Sequence, residues 1–166
     1  MKLIAHRGNV AGRSPHENAP GHIDAARALG FDVEVDLWVQ GSRFLLGHDR
    51  GEYEVPLEFL LAEGSWIHCK NVRAVDAMIE AHAHWFWHEE DERTLTSRGV
   101  VWTYPGRALS RGAIAVCPEL AADDWKLDVA GGICSDHVLD WRDKLMPGEL
   151  SIESNHGPER CSAPLP

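Results

Sequence analysis

Two acidic residues set two apart inside an apolar run, Glu34 and Asp36 in Asp32-Val33-Glu34-Val35-Asp36-Leu37, carry the strongest chemical signal in the sequence. In a strand, positions i and i+2 share a face, roughly 6.5–7 Å apart along the backbone. Two carboxylates buried on one face repel and are costly to desolvate, so a cation belongs between them. A hard divalent ion with oxygen ligands meets that need. The alternative turns Glu34 and Asp36 to solvent and Val33, Val35 and Leu37 to the core, and the alternation alone does not separate the two.

Other titratable groups sit where apolar runs end: His6-Arg7, His48-Asp49, His68-Cys69-Lys70, His88-Glu89 and Ser135-Asp136. His6 beside Arg7 reads as an acid/base group next to a phosphate clamp, because arginine offers a planar fork to two phosphate oxygens. The plain alternative is a hydrogen-bonded strand-end histidine next to a surface arginine, and His48 carries the same ambiguity. Together, the two histidines with carboxylates between them suit proton transfer. For His16-Glu17-Asn18 the plain reading is helix capping. Trp85, Trp87 and Trp102 read as packing. His82, His84 and His88 straddle a change from helix to strand and do not read as one metal cluster. P-loop, G-x-G-x-x-G and G-x-S-x-G motifs are all missing from the sequence.

These residues need a scaffold. Strands are expected at 3–6, 32–39, 44–47, 66–70, 85–88, 100–104, 114–117 and 132–135, and helices at 19–29, 56–63, 71–83 and 137–145. Asn18 is the expected N-cap of the first helix, and Val72, Val75, Met78 and Ile79 the apolar stripe of the helix over 71–83. Strand–helix alternation argues for an α/β fold with a parallel sheet, in which sites form at the carboxyl ends of strands. The 44–47 run follows strand two too closely for a helical crossover, so it pairs antiparallel beside it or forms a flap.

At 166 residues the chain suits one domain, and its 44% hydrophobic and 25% charged residues are ordinary for a globular protein. A formal net charge of -10 disfavours nonspecific nucleic-acid binding, so no nucleic-acid partner is expected. No apolar run approaches the roughly 18 residues of a membrane span. The start lacks the apolar core of a signal peptide. Cys69, Cys117, Cys134 and Cys161 form no C-x-x-C pair, which suggests thiols in a cytoplasmic protein. Residues 147–166 hold four of the nine prolines and are expected to form a peripheral tail outside a single domain over 1–146.

In order along the chain, Ile4-Ala5-His6-Arg7-Gly8, Glu17-Asn18, Phe31-Asp32-Val33-Glu34-Val35-Asp36 and Gly47-His48-Asp49 resemble the glycerophosphodiester phosphodiesterase family, a branch of the phosphatidylinositol phospholipase C-like barrels. Trp66-Ile67-His68-Cys69-Lys70, Val101-Trp102-Thr103-Tyr104 and Gly132-Ile133-Cys134-Ser135-Asp136 extend the resemblance more loosely. It implies a TIM-type (β/α) barrel, shortened or incomplete at this length, with a small β-hairpin after strand two. It also implies metal-dependent hydrolysis of a small glycerophosphodiester-like substrate. By the same resemblance His6 and His48 are the acid–base pair, Arg7 and Lys70 bind the phosphate, and Glu34, Asp36 and His68 hold one divalent cation. Glu17, Asn18, His88 and Glu89 support them.

The sequence departs from the family in three places. His68 stands where the family has a third metal-binding carboxylate, so Mg2+ or Ca2+ is expected first while the imidazole admits Mn2+ or Zn2+; Glu89 or Glu119 is the alternative third ligand. Strand–helix units between Lys70 and Trp102 are trimmed, leaving edges open to homodimerisation. The stretch after Asp49 is too short to carry over substrate identity. Two alternatives stand beside hydrolysis: a degenerate barrel that binds a phosphorylated ligand without turnover, and a lyase that releases a cyclic phosphate.

Overall fold

The computed structural model describes residues 1–122 and 124–147. In chain order the elements are β1 (Lys2–His6), α1 (Pro20–Ala28), β2 (Asp32–Gln40), β3 (Arg43–Leu46), β4 (Tyr53–Val55), α2 (Leu57–Leu60), β5 (Ser65–Cys69), α3 (Val72–Glu80), β6 (Trp85–Phe86), β7 (Arg93–Leu95), β8 (Val101–Thr103), β9 (Ile114–Val116), β10 (Gly132–Ser135) and α4 (Val138–Leu145), with a 3₁₀ turn at Pro118–Leu120. All ten strands join one curled sheet. Its main path runs β4-β3-β2-β1-β10-β9-β8-β7, and β5 and β6 extend from β2. The long β2 strand serves three neighbours: β1 and β5 in parallel and β3 antiparallel.

This architecture corrects the expected TIM-type barrel. Such a barrel alternates a strand with a helix eight times and closes on itself. Here the described residues hold four helices, none of them between β6 and β10. β7 runs antiparallel to β8, and among the described residues no ladder joins β6 to β7. The cause is local. The segments between β6 and β10 carry Gly99, Pro105, Gly106, Gly112, Pro118 and Gly131 and no sustained apolar period of 3.6, so no helix has a stripe with which to cover the sheet. What forms is a mixed α/β fold built on a half-barrel sheet.

Two apolar layers lie on either side of the sheet. Outside, Val33, Val35, Leu37, Ile67 and Cys69 pack against Ile23, Ala26, Ala74, Met78 and Val138 of α1, α3 and α4. Inside the curl, Ile4, Trp66, Phe86, Trp102, Ile114, Val116 and Cys134 form a second cluster. Both faces of β2 are therefore buried. Its valines and Leu37 face the helices while Glu34 and Asp36 face inward, 2% and 0% exposed. Every expected strand forms, within a residue or two at most ends, and β3 pairs antiparallel beside β2.

Other expectations need correction. The N-cap of α1 is Ala19, and the Asn18 side chain is used elsewhere. On α3 the buried positions are Ala74 and Met78, whereas Val72 and Ile79 of the expected stripe are exposed. Asn71 caps that helix by accepting from Ala74 N–H at 2.9 Å. Among the expected packing residues, Trp102 lies in the inner layer, Trp85 lies half-buried against the outer core, and Trp87 lines a cleft. Strands β4 and β7 had no counterpart in the sequence reading. Apart from Pro147, the expected tail lies outside the described residues. No helix among the described residues is long and apolar enough to cross a membrane.

His84 gives the fold a testable pH response. Its Nε2 lies 3.0 Å from Thr96 Oγ1, which also accepts from Val100 N–H and keeps its own proton free to donate to a neutral ring. Burial, reinforced by the Arg98 charge, lowers its pKa to about 4. The unfolded ring protonates near its ordinary value of about 6.5. Between those values the unfolded state binds more protons, so this contribution is full above the unfolded pKa and is lost as pH falls toward 4. Urea midpoints should fall between neutral pH and pH ~5. His84→Gln should flatten that loss by about 2 kcal/mol.

Candidate functional site

Inward-facing positions beyond the inner apolar layer fall at the carboxyl ends of the strands, and there the side chains turn polar. The parallel ladders set His6 directly beside Glu34 and Asp36 directly beside His68. These neighbours share a face at about the 4.8 Å spacing of adjacent strands. The His68 Nδ1 accordingly lies 3.0 Å from Asp36 Oδ1 and 3.9 Å from Glu34 Oε1. The His68 ring stacks against both Phe86 and His88, at 4.9 and 4.6 Å between centroids.

A left-handed turn delivers the cation of the site. Arg7 and Gly8 have φ of 51° and 82°. A Cβ on Gly8 would meet Ile23 Cδ1 at 2.9 Å, so only glycine fits. The turn sends Arg7 N–H to Glu34 Oε2 at 3.2 Å and the guanidinium Nη1 to Glu17 Oε2 at 3.0 Å, with Nε 2.9 Å from Asp36 Oδ2. Asn18, itself left-handed and fully buried, donates to Asp36 Oδ2 at 3.0 Å and accepts from Asp36 N–H at 2.9 Å. Lys70 Nζ stands 3.5 Å from Asp36 Oδ1.

The two carboxylates are treated unequally. Burial opposes ionisation of Asp36, but the His68 contact and the Arg7 and Lys70 charges outweigh it and hold the acid far below its usual range. Glu34 has fewer partners, and burial followed by the Asp36 charge pushes its pKa up.

The histidines are unequal as well. His6 donates from Nδ1 to Asp136 Oδ1 at 2.8 Å and turns Nε2 toward Glu34 Oε2 at 3.9 Å. Burial lowers its proton affinity, but the Asp136 bond, the Cys117 contact and the Glu34 charge win and raise it well above the ordinary value. His48, on the rim and half-exposed, is held by Asp49 at 2.8 Å. Desolvation and the Arg7 charge lower its pKa. Gly47, at φ 149°, sets the approach to His48, since a Cβ there would collide with the Arg50 carbonyl.

One cleft of about 420 Å³ gathers His6, Arg7, Glu34, His48, His68, Lys70, His88 and Glu89, with Trp87, Trp102 and Tyr104 in its wall. Asp36 lies beneath it. Glu17 reaches it through Arg7, and Asn18 through Asp36. His88 bonds the Tyr104 hydroxyl, and burial with the His68 charge lowers its pKa to about 4. Glu89 is an exposed wall residue outside the Glu34–Asp36–His68 cluster. Glu119 accepts from the Ser135 hydroxyl and Asp136 N–H, both at 2.9 Å, and so braces Asp136 rather than Asp36. Sequence reasoning marked Asp136 as a strand-end group without giving it a role, and gave none to Asn9, Tyr104 or Cys117. Tyr104 had the same strand-end placement that marked the others.

Oxygen and nitrogen donors of Glu34, Asp36 and His68 lie within 4.8 Å of one another. Among the described residues, Asp36 Oδ1 and His68 Nε2 are buried with no aligned hydrogen-bond partner. Two carboxylates and an imidazole with an unsatisfied oxygen suit a divalent cation. In comparisons with known proteins, no family model, no curated protein and no solved structure matches this chain.

The unequal carboxylates generate opposite mutational effects. Without added cation, Glu34→Gln should raise stability by about 1–2 kcal/mol, since it relieves like-charge repulsion. Asp36→Asn should lower it by about 3 kcal/mol, since it strands buried Arg7. Mn2+ or Mg2+ at a hundred times its Kd should add about 2.7 kcal/mol to the wild type and nothing to either variant, read as Tm shifts.

Proposed function

We propose that this chain is a phosphoric diester hydrolase that cleaves a small, glycerophosphodiester-like substrate with one divalent cation held by Glu34, Asp36 and His68. The supporting observation is that a single cleft brings two imidazoles of opposite proton affinity together with Arg7, Lys70 and the carboxylate–imidazole cluster. Arg7 and Lys70 bind non-bridging phosphate oxygens and offset negative charge as it grows. When bound, the cation supplies Lewis-acid stabilisation of that charge. Mg2+ or Ca2+ suits the carboxylates, and His68 tilts the preference toward Mn2+ or Zn2+.

The pKa directions divide the proton work. His48, neutral at neutral pH, accepts the proton of the attacking hydroxyl or water, and His6, protonated and oriented by Asp136, donates to the leaving oxygen. A cytoplasmic setting, in which Cys69, Cys117 and Cys134 stay thiols, belongs to the same proposal. So does pairing of two copies of the chain along uncovered strand edges.

The test is hydrolysis of an activated bis-aryl phosphate and of glycerophosphocholine, with and without chelator. Chelation should abolish turnover, and His6→Ala and His48→Ala should each cost about 10²–10⁴-fold in kcat/KM. Activity should rise with pH through a His48 pKa below about 6.5 and fall through a His6 pKa above it. Saturable binding without product in calorimetry would leave a phosphate-binding module instead. A cyclic phosphate as the final product in phosphorus NMR would make the protein a lyase.

A further inference from the structure

A second group of metal-type ligands lies on the far side of His6. Cys117 Sγ is 3.8 Å from His6 Nδ1, which is 2.8 Å from Asp136 Oδ1, and the three donor atoms lie within 4.8 Å of one another. We infer that His6, Cys117 and Asp136 form a second cation site that is selective for a thiophilic divalent metal such as zinc, and that this site is distinct from the carboxylate cluster of Glu34, Asp36 and His68.

Three observations support the assignment. The spacing is close to that of a coordination shell. Tetrahedral zinc, with Zn–S of about 2.3 Å and Zn–N of about 2.0–2.1 Å, separates its sulfur and nitrogen ligands by about 3.6 Å, near the distance found. Nitrogen and oxygen ligands stand about 3.3 Å apart, so the His6–Asp136 contact needs to open by only about half an ångström.

Second, Cys117 is placed at the cost of backbone strain. Its φ and ψ of 42° and 58° lie in the left-handed region that a cysteine rarely adopts. This conformation, at the end of β9, brings the thiol to an imidazole–carboxylate pair, although a buried cysteine ordinarily packs as a small apolar residue.

Third, the carboxylate is already braced as metal ligands are. Asn9 Nδ2 donates to Asp136 Oδ1 at 2.8 Å, and Glu119 accepts from Asp136 N–H at 2.9 Å. Arg13, 3.7 Å from Asp136 Oδ2, is largely exposed and free to leave. Of the three ligands, His6 alone also lines the cleft.

Binding releases two protons to solvent, one from the Cys117 thiol and one from His6 Nδ1, and replaces the His6–Asp136 hydrogen bond with two metal bonds. The sulfur sets this site apart from the hard-cation cluster, whose donors are oxygen and nitrogen only. If the chain is the phosphodiesterase proposed above, occupancy would take His6 out of proton transfer, and zinc beyond any held by the carboxylate cluster would act as an inhibitor.

Cobalt(II) titration of the full, reduced, chelator-stripped chain tests the inference, because only a thiolate ligand gives the near-ultraviolet sulfur-to-cobalt charge-transfer band. The band should saturate, and should do so at one metal per chain in Asp36→Asn, where the carboxylate cluster no longer competes for cobalt. It should persist in Asp36→Asn, Cys134→Ala and Cys161→Ser and vanish in Cys117→Ser. Absence of the band from the wild type, its survival in Cys117→Ser, or its loss in Asp36→Asn would overturn the inference. Should Cys117→Ser fail to fold, X-ray absorption of the zinc-loaded wild type decides: a sulfur shell at about 2.3 Å supports the site, and an oxygen–nitrogen shell alone refutes it.

Discussion

Repulsion between two carboxylates on one inward face of β2 is the constraint around which the rest of the site is arranged. Neither Glu34 nor Asp36 reaches bulk water, and burying an ionised carboxylate without compensation costs several kcal/mol. The chain meets that cost unevenly. Asp36 receives Arg7, Lys70, His68 and both ends of the Asn18 amide. Glu34 receives a backbone N–H and two imidazoles at 3.9 Å. The left-handed Arg7-Gly8 turn, the left-handed buried Asn18 and the strand-end Lys70 all follow from supplying positive charge and donors to Asp36. The shortfall at Glu34 is what a divalent cation would make good under the proposed function.

A half-barrel is enough for this arrangement. The groups given roles in the proposed chemistry stand on β1, β2 or β5 or in the loops that follow β1, β3 and β5, and this is the part of the chain where α1 and α3 cover the outer face. The later strands have a different task. Phe86, Trp102 and Val116 floor and wall the cleft from the inner layer, which requires inward side chains but no helix behind each strand. Losing the helical crossovers between β6 and β10 removes outer packing without disturbing the registers His6–Glu34 and Asp36–His68.

What the sequence reveals follows the range of the interaction. Strand positions were legible because period-two alternation and short β-branched or aromatic runs are local signals. The pairing of His6, Arg7, Glu34 and Asp36 was legible because each ends or occupies such a run. Asn18 misled, because an asparagine before Pro20 looks the same whether its amide caps a helix or reaches a carboxylate on the next strand. Arg93-Thr94-Leu95 has no apolar run, so β7 had no signal at all. Closure of the barrel was not legible, since a match concentrated in the first fifty residues does not constrain how β6 and β7 meet. Asp136 was visible as a strand-end group, but its bond to His6 was not, because the two stand 130 positions apart.

The two nitrogens of His6 separate two chemistries. Nε2 looks toward Glu34 and the cleft, while Nδ1 looks toward Asp136 and Cys117. A carboxylate on Nδ1 fixes the ring's orientation and keeps a proton there, which leaves Nε2 as the nitrogen that exchanges protons with whatever enters the cleft. The same geometry makes His6 the one group both sides need, so any cation drawn to the thiol side competes for the atom that keeps Nε2 in place. Under the proposed function, control of the cleft would require no moving lid and would follow from an imidazole set between hard donors on one side and a sulfur on the other.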